Sequence, residues 1–189
     1  MFKNRNILRR YNIIMLLCVF GTYLNAQNIF IENKGQFPKQ VRAKVNLPSG
    51  SLFIEDGKLI YSFYSGDQLS ALHNLKLANK DIAAHAYVSE FINCSSQLST
   101  SLSGESNYYE NYFLGDKSTW SATVRSYKSL YQSNVYSGVD VHYYMAEDKL
   151  KYDIIIAPKS DVKQIKIKYS GAKNINLEGG DLFITTSVN

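Results

Sequence analysis

Between Val139 and Ile156 the chain reads VDVHYYMAEDKLKYDIII, with apolar residues at every second position on both sides of a polar centre. A two-residue turn at Glu147 and Asp148 sets Tyr144 against Lys151, His142 against Asp153 and Asp140 against Ile155. Val139, Val141, Tyr143, Met145, Leu150, Tyr152, Ile154 and Ile156 then share the opposite face. This is the period-2 pattern of a hairpin with one face in a core and the other, mostly polar, in water.

The same rhythm of short runs rich in Tyr, Phe, Val and Ile, separated by turn residues, recurs along the chain and predicts an all-β fold, an antiparallel β-sandwich-like domain. The predicted strands are Val41 to Leu47, Ser51 to Ile54, Lys58 to Tyr64, Ala83 to Phe91, Asn107 to Leu114, Ala122 to Tyr127, Val139 to Met145, Leu150 to Ile156, Val162 to Tyr169, Asn174 to Leu177 and Leu182 to Ser187. Asp56-Gly57 and Glu178-Gly179-Gly180-Asp181 predict hairpin turns, because glycine accepts the positive φ that tight turns require. Two regions break the rhythm. Gly66 to Lys80, with Leu69, Leu72, Leu75 and Leu77, fits either a short helix or a packed loop, and the Ser, Thr and Gly of Ser95 to Ser106 predict an exposed loop. The last run, Leu182 to Val188, stops at the chain end. It either closes a sheet edge or belongs to a sheet that a longer polypeptide completes.

The N-terminus changes the charge picture. Lys3, Arg5, Arg9 and Arg10 precede the apolar run Ile13 to Phe20, which ends at Leu24-Asn25-Ala26. This is the pattern of a secretory signal peptide over residues 1–26, and the run falls short of the ~20 apolar residues that a membrane span needs. The whole chain has 21 Lys and Arg against 16 Asp and Glu; removing the leader's four leaves 17 against 16. Without a concentrated positive patch, nucleic acid binding loses its support. Cys18 departs with the leader, so Cys94 stands alone and no internal disulfide is expected. Residues 27–189, about 160 of them, are the size of one ordinary domain able to bury a core.

Several segments together carry a resemblance: Phe30-Ile31-Glu32-Asn33-Lys34-Gly35-Gln36, Asn111-Tyr112-Phe113-Leu114-Gly115, Trp120, Leu130-Tyr131, Val135-Tyr136-Ser137-Gly138-Val139-Asp140-Val141, Tyr143-Tyr144 and Leu150-Lys151-Tyr152-Asp153. In this order they resemble the uncharacterised N-terminal β-rich domain of large secreted proteins of Bacteroidetes-type bacteria. There the domain is often followed by propeller-type repeats, polycystic-kidney-disease-like sandwiches and a sorting or gliding-motility-associated C-terminus. The resemblance implies export and surface context and no established activity. Its members continue past the position of Val188, so it also implies that this chain is a truncated member.

Few residues suggest chemistry. His73, His85 and His142 lack the spacing of a metal site, and no metal or cofactor is expected. His142 opposite Asp153, with Asp140 on the same face, is the only arrangement resembling an acid–base pair. The favoured reading of it is an exposed cross-strand pair worth about 0.2–1 kcal/mol. Gly115-Asp116-Lys117-Ser118-Thr119 lacks the first glycine of a phosphate loop and reads as a turn. No catalytic residue is assigned.

The remaining candidates are aromatic. Tyr108, Tyr109, Tyr112, Phe113, Trp120, Tyr127, Tyr131 and Tyr136 fall in one stretch, and alternation sets Tyr108, Glu110 and Tyr112 on one side of a strand. Buried, these rings fill the sandwich; exposed, they bind sugars or partner side chains. Filling the interior is the expectation for most of them, and Tyr108, Tyr109, Tyr112, Trp120, His142 and Asp153 are the weak binding candidates. The function expected is a non-catalytic secreted or cell-surface structural or adhesion module. Its partners are other surface proteins or extracellular glycans. A carbohydrate-binding module is the alternative and a hydrolase the distant third.

Overall fold

The computed structural model describes residues 30–73, 81–146 and 149–188. The predicted leader over residues 1–26 and the turn residues Glu147 and Asp148 lie outside them. Among the described residues twelve strands and one short helix follow in order: β1 (Phe30–Glu32), β2 (Val41–Leu47), β3 (Gly50–Glu55), β4 (Lys58–Tyr64), α1 (Gly66–His73), β5 (Ala84–Phe91), β6 (Ser99–Tyr112), β7 (Ser121–Tyr136), β8 (Val139–Ala146), β9 (Lys149–Ile156), β10 (Ile167–Ser170), β11 (Asn174–Glu178) and β12 (Asp181–Thr185). The fold is all-β and every strand pairing is antiparallel.

Ten strands make one sheet, ordered β10-β5-β4-β3-β2-β1-β7-β8-β9, with β6 on the far side of β7; β11 and β12 form a separate hairpin. The large sheet curls on itself. The Tyr136 hydroxyl, at the end of β7, donates to Ile92 O (2.8 Å), with Lys166 O at 3.1 Å as a second acceptor. That contact joins the end of β7 to the chain around β5 and β10. The core so enclosed combines Ala43, Val45, Leu52, Ile54 and Leu59 from one half with Leu130, Val135, Val139, Val141 and Tyr143 from the other. Full burial of side chains of this size contributes roughly 1.5–3 kcal/mol each.

The β8–β9 hairpin has the predicted register, with Tyr144 opposite Lys151, His142 opposite Asp153 and Asp140 opposite Ile155. Val139, Val141 and Tyr143 are buried as expected. Tyr152 and Ile156 are not: they remain 40% and 41% exposed, because β9 is the last strand of the sheet and among the described strands has a neighbour, β8, on one side alone. The turn glycines also behave as expected, with φ of +68° at Gly57, +60° at Gly179 and +93° at Gly180.

Three predicted segments differ. Ser95 to Ser106 is not a loop beyond Leu98, since β6 begins at Ser99 and pairs with β7 from Ser133 back to Ser121. Here the partner strand supplies the ladder that the polar residues do not favour by themselves. Ala122 to Tyr127 is only the first part of β7, which runs unbroken in sequence to Tyr136 through positive-φ residues at Thr123 and Asn134. Val162 to Tyr169 divides into a 3₁₀ turn, Val162–Gln164, and β10. The Asp161 carboxylate accepts from Lys163 N at 2.9 Å and so favours the turn over the extended chain. In the segment read as helix or loop, the described part is α1.

Candidate functional site

The acid–base arrangement on the outer face of β8 and β9 does not assemble. His142 is stacked between Tyr131 (ring centroids 3.9 Å, planes 6° apart) and Tyr144 (5.1 Å, 29°). Among the described residues no hydrogen bond joins it to Asp153, and its Nε2 is buried without a partner. Asp153 accepts the Tyr144 hydroxyl at 3.3 Å, because β9 directs its odd-numbered side chains outward beside that ring. Asp140 accepts from Asn134 N at 2.7 Å and so fixes the irregularity where β7 shifts register against β8. Each polar group of the trio is thus held in a separate structural contact. Among the described residues no cluster of His, Cys, Asp and Glu has the arrangement of a metal site.

Cys94 is half-buried and its thiol donates to Phe91 O at 2.9 Å. Burial and the charge of Glu90 push the thiol's pKa up, away from the reactive thiolate.

Tyr108, Tyr109, Tyr112, Phe113 and Trp120 gather at the distal end of β6 and β7, while Tyr127, Tyr131 and Tyr136 lie further along β7. This corrects the expectation that most of them fill the interior: among the eight only Tyr136 is buried, and Tyr108, Tyr109, Phe113 and Trp120 are exposed. The physical reason is that the outer ends of β6 and β7 pair chiefly with one another, so few side chains are available to cover their faces. Tyr108, Glu110 and Tyr112 do share one side. Both hydroxyls point at the Glu110 carboxylate, Tyr108 at 3.4 Å and Tyr112 in a closer contact. Burial first, then the hydrogen bond to Glu110 and its charge, raise the Tyr112 phenol's pKa; at exposed Tyr108 the Glu110 charge is the main cause.

Between the two strands lies the tip. Gly115 turns the chain at φ +72°, Asp116 accepts from Ser118 N at 2.8 Å, and the 3₁₀ turn Lys117–Thr119 leads into Trp120. Phe113 and Trp120 sit with ring centroids 5.5 Å apart and planes tilted by 56°. Lys117 Nζ lies over the Trp120 ring at 5.7 Å from its centroid, a cation–π contact. Leu114, 81% exposed, is the most exposed large apolar residue of the group.

Residues that sequence reading did not assign a role hold this arm to the body. Asn33 Nδ2 donates to Pro38 O and Val41 O, both at 2.9 Å, and its Oδ1 accepts from Gly35 N (3.0 Å) and Phe37 N (3.2 Å). The loop so ordered grips β7. Ser121 Oγ donates to Lys34 O, Lys34 Nζ reaches Ala122 O and Thr123 O, and Glu32 Oε1 accepts from Arg125 N at 2.7 Å. Phe37 packs edge-on to Tyr112 at 5.5 Å. The signal was present in Asn33-Lys34-Gly35, an Asx-type turn sequence, but its target 88 residues away was not.

An antiparallel β-domain with a braced arm and an exposed apolar tip is therefore the class that fold and site define. Residues 30–189 match the family described as a domain of unknown function, DUF7948, and the chain belongs to that family. No curated protein and no solved structure matches it. Among the described residues no helix is long and apolar enough to cross a membrane.

Proposed function

We propose that this chain is a non-catalytic contact module, exported to the cell surface, that engages a protein partner through the tip of the β6–β7 arm. The observation that carries the reading is the exposure of Phe113, Leu114 and Trp120 together at one loop, on an arm braced by the Asn33 loop. Exposed large apolar residues cost solubility unless they are used, and rigid aromatic anchors with a nearby cation are the composition of interface hot spots. The tilt between the Phe113 and Trp120 rings favours a protein partner over a saccharide, which stacks best on rings lying in one plane. Export rests on the N-terminal residue pattern alone.

The test places a photo-crosslinking residue at Leu114 in the chain produced by its own cells and, in parallel, screens the purified chain on an oligosaccharide array. The proposal expects one protein adduct, lost in Phe113→Ser/Trp120→Ser, and a blank array. Array binding that Trp120→Ser abolishes overturns it in favour of the saccharide reading. An adduct indifferent to both tip substitutions removes the tip from the account.

A further inference from the structure

We propose that the free edge of β9 pairs with β9 of a second copy of this chain, around a two-fold axis at Tyr152, to form a homodimer with a continuous sheet. β9 is terminal in the strand order, so among the described strands it pairs only with β8. Edge strands that must stay single are kept so by bulges, proline, short length or charged side chains, lysine especially. β9 has no bulge or proline within it, since its eight residues pair with β8 without a register shift and Pro158 comes only after the strand ends; its charges, Lys149, Lys151 and Asp153, are of both signs. The other free edges of the large sheet differ. β10 is four residues long, and β6 is interrupted by two register shifts.

The hydrogen-bonding groups that face outward can be identified. Ala157 N donates to Gly138 O at 2.9 Å. Alternation along an antiparallel pair then directs the backbone groups of the odd positions toward β8 and those of Leu150, Tyr152, Ile154 and Ile156 toward the open side.

With two copies antiparallel and Tyr152 opposite Tyr152, each outward-facing residue meets an outward-facing residue. Leu150 falls opposite Ile154 of the second copy, twice by symmetry, on the face that continues the core. On the other face Lys151 falls opposite Asp153 of the second copy, again twice, and Lys149 opposite Ile155. Lys149, Lys151 and Asp153 are all exposed, so the two ion pairs form without leaving a buried charge. The Lys149 stem lies along Ile155, which is 47% exposed on an otherwise polar face. Shifts of two residues keep the faces matched, but one places Asp153 opposite Asp153 and loses both pairs, and the other gains two Lys149–Asp153 pairs only by setting Lys151 against Lys151. Of the three registers, the one centred on Tyr152 alone makes its ion pairs without opposing like charges, as a self-complementary two-fold interface requires.

The test is sedimentation velocity on the purified full chain and on two single charge reversals, Lys151→Asp and Asp153→Lys. The wild type should dimerise by about 100 µM, near the weak end for specific protein pairs. Each reversal alone should weaken its own dimer by at least about tenfold, since two attractions become two repulsions. An equimolar mixture of the two reversals should restore a dimer, because each Lys then meets an Asp. A wild type that stays monomeric overturns the proposal, as does a dimer indifferent to both reversals. So does a mixture that fails to associate while both variants keep the wild-type circular dichroism. This interface does not involve the β6–β7 tip, so its failure leaves the tip reading standing, and the reverse holds too.

Discussion

The side chain of Gln132, in the middle of β7, holds the turn at Gly57 on the opposite half of the sheet: Gly57 N donates to Gln132 Oε1 at 3.2 Å, and Gln132 Nε2 donates to Glu55 O at 2.7 Å. Gln132 is fully buried, and the Tyr143 hydroxyl adds a third contact at 3.4 Å. Gln132→Leu leaves buried backbone groups of Glu55 and Gly57 without partners, each worth about 1–3 kcal/mol. The expected loss is about 2–5 kcal/mol in urea unfolding. A loss below about 0.5 kcal/mol means that water replaces the amide without cost.

The Asn33 side chain makes its hydrogen bonds inside the loop that braces the arm. Asn33→Ala should lower stability by about 1–3 kcal/mol and, more specifically, speed amide exchange in residues 121–125 relative to β3 and β4. Uniform acceleration across the sheet contradicts a local bracing role.

Trp120→Ala should change stability by less than about 1 kcal/mol, because the ring is 43% exposed. A loss of about 3–5 kcal/mol, typical of a buried tryptophan, places the ring in a core.

The fold responds to alkali through its tyrosines. Desolvation raises the Tyr61 and Tyr143 phenols and pushes Tyr87 up from 10.0 to about 12. A group whose folded pKa is raised contributes its stability fully below the unfolded value and loses it as pH rises toward the folded one. Stability should therefore be flat to about pH 9 and fall steeply between about 10 and 12. Circular dichroism against pH, with phenolate absorbance recorded alongside, checks this. Complete phenolate titration near pH 10 while the fold persists contradicts it.

Much of the fold was legible because the β8–β9 hairpin obeys a purely local rule: alternation and a two-residue turn dictate the register that is found. Ser99 to Ser106 was not legible, since its strand character comes from β7 across the ladder rather than from its own serines. Alternation assigned Tyr152 and Ile156 to the correct face but not to a buried position, because burial depends on neighbours on both sides and β9, terminal in the strand order, has one. The tip was visible as an aromatic cluster, while its exposure followed only from how far β6 and β7 reach. Asn33 was invisible as a brace because its effect depends on a loop closing against a strand distant in sequence.

Trp120 is the chain's single tryptophan, so its fluorescence reports the tip without interference. The most direct measurement is its emission and its quenching by acrylamide, in the free folded chain and then in the complex with the protein captured at Leu114. The account predicts solvent-like emission and ready quenching in the free chain, with a blue shift and protection on binding. Blue-shifted, protected emission from the free folded chain, or no change in the complex, contradicts a tip held open for a partner.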